Sequence, residues 1–129
     1  MPRQTAESEW NPSMLQDPKS RMSFVTRPIH MAIPQIQGVL WCGVFGSFFD
    51  DNIRHQPHDI DIILLLENRE GSEAKTILGR ELKKIGIPPH IFLIDPYNIK
   101  TKSASDMAFM RTCLINVRSI YGTKPNWLS

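Results

Sequence analysis

Residues 59–66, Asp-Ile-Asp-Ile-Ile-Leu-Leu-Leu, constrain the fold of this chain most. The unbroken apolar run from Ile62 to Leu66 reads as a β-strand buried on both faces, because a half-exposed strand would alternate apolar with polar residues. Such a strand belongs near the centre of a sheet, and both faces of that sheet must then be covered by other layers. Val39-Leu40-Trp41-Cys42-Gly43-Val44-Phe45 is β-branched and aromatic and reads as a second strand, while His90 to Asp95, closed by Pro96, reads as a third. From Gly71-Ser72 onward, Ala74, Ile77, Leu78, Leu82 and Ile85 recur at helical steps and stop before Gly86. Ser103 and Asp106 form a capping pair for a last helix carrying Met107, Met110, Leu114, Val117 and Tyr121 on one face, stopped at Gly122. The order β, turn, β, α, β, α predicts an α+β (α/β layer) fold. It is a small mixed β-sheet of about three to four strands with helices packed on it.

At 129 residues and 41% hydrophobic, the chain has material for one core and not two. Residues 1–23 mix polar residues with Pro2, Pro12 and Pro18 and are expected to form a loosely ordered N-terminal arm, leaving 24–129 as the domain. Pro28 and Pro34 limit any helix between Phe24 and Ile36 to little more than a turn or two. A net charge of +2 is too balanced for a dedicated electrostatic nucleic-acid binder. No run approaches the ~20 apolar residues that span a bilayer, so no membrane association is expected. Charges at Arg3, Glu7, Glu9, Asp17 and Lys19 fall where a secretory signal would be apolar, which predicts a cytoplasmic protein. Cys42 and Cys113 sit in apolar surroundings without metal-binding spacing and read as buried thiols.

Chemistry is concentrated between Gly46 and Asp61. A strand ends in Gly46-Ser47, where a side chain-free backbone lets N–H groups and a hydroxyl donate to phosphate oxygens. The eleven residues 48–58 follow, and Asp59-Ile60-Asp61 opens the next strand. Side chains alternate along a strand, so Asp59 and Asp61 share a face at roughly 6.5–7 Å. Two such carboxylates suit Mg²⁺, a hard cation that keeps positions open for phosphates. Without a cation they would repel each other at the rim of an apolar strand.

Strand, Gly-Ser, about ten to twelve residues, then Asp-x-Asp on the next strand resembles the DNA polymerase β-like nucleotidyltransferase superfamily, in particular its minimal nucleotidyltransferases. The resemblance covers Val39 to Gly122 and includes Ser119-Ile120-Tyr121-Gly122, similar to a helix end shared by many small members. It implies a polymerase β-like palm in which Gly46 and Ser47 bind the triphosphate while Asp59 and Asp61 are catalytic and ligate Mg²⁺ or Mn²⁺. The implied reaction is transfer of an NMP group from a nucleoside triphosphate to an acceptor, with release of pyrophosphate. The acceptor, whether small molecule, RNA or protein, is not legible. A chain this small implies a homodimer or partner chain to complete the site.

Two departures stand against the family pattern. Phe48-Phe49-Asp50-Asp51 replaces the usual small residue, Arg and Gly, so Arg54 or His55 would supply positive charge. The third carboxylate expected on the neighbouring strand is missing from Ile91-Phe92-Leu93-Ile94, leaving His90 or Asp95 as candidates. These departures keep open a second class of function, a catalytically weak or inactive binding module of the same fold that acts on a partner. His55, His58 and His90 lack helical ligand spacing, which disfavours a zinc site. Lys75, Arg80, Lys83 and Lys84, with Glu73 and Glu81, read as a solvated helix face. Arg111 and Arg118, seven apart, are expected on one face of the final helix.

Overall fold

The computed structural model describes residues 18–46 and 60–128. Strands β1 (Val39–Phe45), β2 (Ile60–Leu66), β3 (Pro89–Ile94) and β4 (Arg118–Gly122) form one sheet in the order β3-β2-β1-β4. β1 runs antiparallel to β2, with Phe45 opposite Asp61, and β4 runs antiparallel to β1. β2 and β3 are parallel, with Asp61 opposite His90 and Leu65 opposite Ile94. A parallel pair needs a crossover, supplied by α2 (Ala74–Lys83). The result is a four-stranded mixed sheet with helices packed on it, the α+β class the sequence predicts. β2 lies inside the sheet and is buried from Ile62 to Leu66, as its continuous apolar run requires.

Strand alternation sorts the core into two layers. Cys42, Val44, Ile60, Ile62, Leu64 and Leu66 face one way, packed with Val25 and Ile29 of α1 (Pro18–Ala32) and Leu78 and Leu82 of α2. Trp41, Ile63, Leu65 and Ile94 face the other way, against Leu114 and Leu128. Trp41 is fully buried, and its indole Nε1–H donates to Ser119 Oγ at 2.9 Å, which satisfies its one polar atom.

The turn or two expected between Phe24 and Ile36 is instead part of a 15-residue helix with Pro28 inside it. α1 therefore takes in residues 18–23, placed in the arm from sequence. A proline in a helix interior costs about 3 kcal/mol. Val25, Ile29 and Ala32 are completely buried on its sheet-facing side, and each large apolar side chain so buried contributes about 1.5–3 kcal/mol. Tertiary burial therefore outweighs the local penalty.

The second correction concerns the C-terminal segment. The capped helix exists as α4 (Ala104–Cys113), with Ser103 Oγ accepting from the Asp106 N–H at 3.1 Å, but it ends well before Gly122. Residues 118–122 form β4, so Val117 and Tyr121 are not on the helix, and Ser119 to Gly122 is a strand where a helix end was expected. Arg111 and Arg118 accordingly belong to a helix and a strand, not one helical face. β1 would otherwise leave a row of backbone groups unpaired along that edge, and Ile120 and Tyr121 fit a strand better than a helix.

Two side chains also differ from expectation. Cys42 is buried, but Cys113, at the end of α4, is exposed. Glu81 is not part of a solvated face: it is buried and accepts from Lys84 Nζ at 3.0 Å and Gln35 Nε2 at 3.4 Å. Among the described residues no helix is long and apolar enough to cross a membrane.

Candidate active site

The site predicted from sequence centres on the rim where β1 ends and β2 begins. Gly46 and Asp61 are described there; Ser47 and Asp59 lie outside the described residues, as do Phe48 to His58 with Arg54, His55 and His58. Because β1 and β2 are antiparallel, the last residue of β1 faces the second residue of β2, which delivers Gly46 to the Asp61 carboxylate. Gly46 has φ +92°, a region favouring glycine, and a Cβ built on it would overlap Asp61 Oδ2. The absent side chain of Gly46 is therefore the space in which the Asp61 carboxylate sits. Gly46 is exposed and the Asp61 side chain is 27% exposed, so solvent reaches both.

His90 completes the described cluster. The parallel β2–β3 register sets it directly opposite Asp61, and its Nδ1 lies 3.3 Å from Asp61 Oδ1. The imidazole packs against Phe92, ring centroids 4.6 Å apart, and Phe92 against Phe45 at 5.8 Å. All four side chains share one face, because Phe45 pairs with Asp61 and residues 90 and 92 alternate with buried or half-buried neighbours. This aromatic wall was not singled out from sequence, although the alternation of Phe92 with Ile91 and Leu93 is the signal that carries it.

Of the two candidates for the third position, Asp95 is excluded by its surroundings. It follows β3 and caps α3 (Pro96–Lys100), with Oδ1 accepting from the Asn98 N–H at 2.6 Å and Oδ2 from the Arg69 N–H at 2.8 Å. The bond from Arg69, then that from Asn98, holds its carboxyl below the usual carboxylate range despite burial. Asp95 follows Ile94, which is level with Leu65, so it stands about 16 Å along the strands from Asp61. Its lone pairs are committed to backbone N–H groups at the far end of the sheet.

Among the described residues no cluster of three His, Cys, Asp or Glu side chains is arranged to hold a metal. Asp61 and His90 offer two donors, and the third that the sequence supplies, Asp59, lies outside the described residues. Hard carboxylate oxygen in an open cradle fits a divalent cation such as Mg²⁺ or Mn²⁺. A cleft of about 460 Å³ lies at the opposite pole of β2, lined by Gln35, Gly38, Glu67, Asn68, Glu70 and Glu73, among others. Its three glutamates would repel a triphosphate, so its size does not make it the nucleotide site.

No protein-family model matches the sequence, and no curated protein does. Solved structures do match in shape. A chain in the complex of a tri-AMPylated HEPN toxin with MNT antitoxin from Shewanella oneidensis aligns at TM-score 0.54 and 15% identity, over 79% of this chain and 73% of that one. A toxin–antitoxin structure with AMP-PNP aligns at TM-score 0.55 and 17% identity, covering 77% and 74%. An MntA–HpeT toxin–antitoxin complex carrying two Asp-to-Glu substitutions aligns at 0.55 and 15%, covering 77% and 74%. At these identities the likeness establishes the architecture: the chain has a nucleotidyltransferase-like fold, with its mixed sheet and packed helices.

Proposed function

We propose that this chain is a metal-dependent nucleotidyltransferase that moves an NMP group from a nucleoside triphosphate to an acceptor hydroxyl and releases pyrophosphate. The observation that supports this reading is the close approach of Gly46, the first residue of the Gly-Ser pair, to Asp61, the second aspartate of the Asp-x-Asp pair. In the proposal the Gly46 backbone and Ser47 hydroxyl donate to the triphosphate, and Asp59 and Asp61 hold Mg²⁺ or Mn²⁺. The bound cation supplies Lewis-acid activation of the attacking oxygen and charge neutralisation at the leaving pyrophosphate. Similarity to complexes described as AMPylated or bound to AMP-PNP supports a nucleoside triphosphate donor and a protein acceptor on a partner chain.

A second reading has its own observation. The group level with Asp61 on β3 is His90, not a carboxylate, which favours a catalytically weak or inactive module of the same fold that binds its partner. Incubation of the purified protein with α-labelled ATP, CTP, GTP and UTP, Mg²⁺ or Mn²⁺ and cell extract separates the two. Label transfer that disappears in Asp59→Ala and Asp61→Ala supports the enzyme and reveals whether the acceptor is protein, RNA or small molecule. Absence of transfer, with no nucleotide-dependent rise in melting temperature, supports the binding module.

A further inference from the structure

We infer that His90 is, beside Asp61, a protein ligand to the divalent cation of the proposed site, and that its imidazole moves the preference of that site from Mg²⁺ toward Mn²⁺. The inference rests on the nucleotidyltransferase reading above and adds to it a donor that the carboxylate pattern does not contain. Its geometric ground is the Asp61 Oδ1 to His90 Nδ1 separation of 3.3 Å. Two adjacent donors on one octahedral cation, each with a bond of roughly 2.1–2.3 Å, stand about 3.0–3.3 Å apart. The pair therefore spans one edge of such a coordination shell.

Three further features fit a ligand. The register places residues 61 and 90 level on adjacent strands, so rigid backbone fixes the spacing. The ring is braced by Phe92, which is braced in turn by Phe45, and this limits the orientations the imidazole can adopt. Yet the His90 side chain is 62% exposed, so the ring edge is open to a hydrated cation. Mg²⁺ favours oxygen-only shells and retains water, whereas imidazole is a normal ligand of first-row transition metals. Exchanging one carboxylate for an imidazole also removes a negative charge from the shell, which weakens Mg²⁺ binding further.

The test is Mn²⁺ binding to the full chain, followed by the loss of the free-ion electron paramagnetic resonance signal, with Mg²⁺ as competitor. Wild type is expected to show nitrogen coupling to bound Mn²⁺ in pulsed spectra. His90→Ala is expected to lose that coupling and to bind Mn²⁺ at least ~10-fold more weakly, with a much smaller change in Mg²⁺ competition. His90→Asp is expected to bind Mg²⁺ more tightly than wild type does. Wild-type Mn²⁺ without nitrogen coupling, or equal Mn²⁺ affinity in wild type and His90→Ala, overturns the inference. Asp61→Ala separates the two levels of failure. If it abolishes Mn²⁺ binding while His90→Ala has no effect, only the role of His90 is lost; if it binds like wild type, the nucleotidyltransferase reading fails too.

Discussion

Gly46→Ala is the substitution that tests the candidate site most directly, because two separate penalties meet there. An L-residue at φ +92° incurs a backbone cost of about 1–2 kcal/mol. The new methyl group would also overlap Asp61 Oδ2, so either the strand end or the carboxylate has to move, by an amount on the order of 1 Å. A displacement of that size at a reacting centre costs ~10²-fold in rate. Gly71→Ala serves as the control: it lies at φ +73° with no atom within 4 Å of the added Cβ, so it carries the backbone penalty alone. Gly71→Ala should lose about 3–12 °C in melting temperature, scaled for a domain of this size, and Gly46→Ala at least as much. Only Gly46→Ala should also lose the stabilisation by Mg²⁺ or Mn²⁺ with ATP and about 100-fold in label transfer. Differential scanning fluorimetry with and without metal and nucleotide reads the first quantity, and initial transfer rates read the second. Equal metal and nucleotide responses in the two variants would refute the claim that Gly46 and Asp61 share a functional space.

Asp95→Ala removes a helix cap and the acceptor of the Arg69 N–H, and should destabilise by about 2–4 kcal/mol in urea unfolding while leaving Mn²⁺ binding intact. Because the folded pKa of Asp95 is depressed, its contribution is present above the unfolded value of about 3.9 and is lost as pH falls through the lower folded value; unfolding curves between pH 6 and pH 2 should therefore flatten in Asp95→Asn. Pro28→Ala should stabilise by about 1–2 kcal/mol, since the gain of an interior helix residue exceeds the added unfolded-state entropy, and a loss of stability would show that the proline itself is required. A thiol reagent at pH 8 should titrate Cys113 rapidly in the native protein, whereas Cys42, buried and with its thiol pushed up to about 12, should react only after denaturation.

The central strand was legible because its signal is dense: an unbroken apolar run has few alternatives, and β2 carries the burial it implies. α2 was legible for a similar reason, its buried residues recurring at helical steps. The C-terminal segment was misread because Met107, Met110, Leu114, Val117 and Tyr121 fit a helical period, while residues 118–122 answer to a different demand. That demand is the open edge of β1, which no local pattern encodes. α1 was undervalued by the same logic: Pro28 is a local signal against a helix, whereas the full burial of Val25 and Ile29 is a property of the assembled sheet. In the candidate site, Gly46 and Asp61 could be named from spacing alone, since an antiparallel pair joins the end of one strand to the start of the next. The choice between His90 and Asp95 could not be made from spacing, because both border the same strand and only its parallel direction decides which of them meets Asp61.

That direction also explains how two aspartates at strand ends come to have opposite meanings. Asp95 stands where β3 runs into a helix, and the N–H groups of Asn98 and Arg69 take up both its oxygens; the protein uses its charge to hold a turn. Asp61 stands at the other end of the parallel pair, beside a glycine that withholds a side chain and an imidazole at 3.3 Å. Burial does not distinguish the roles, because the more buried of the two carboxylates is the structural one. What marks Asp95 as structural is that both its oxygens accept from backbone N–H groups. A carboxylate whose lone pairs end on amide N–H groups is part of the scaffold, whereas Asp61 lies beside a side chain-free cradle and a second metal-competent donor. In the proposed reading the chemistry belongs to the Gly46–Asp61–His90 rim, and the acidic cleft at the far pole is not required for it.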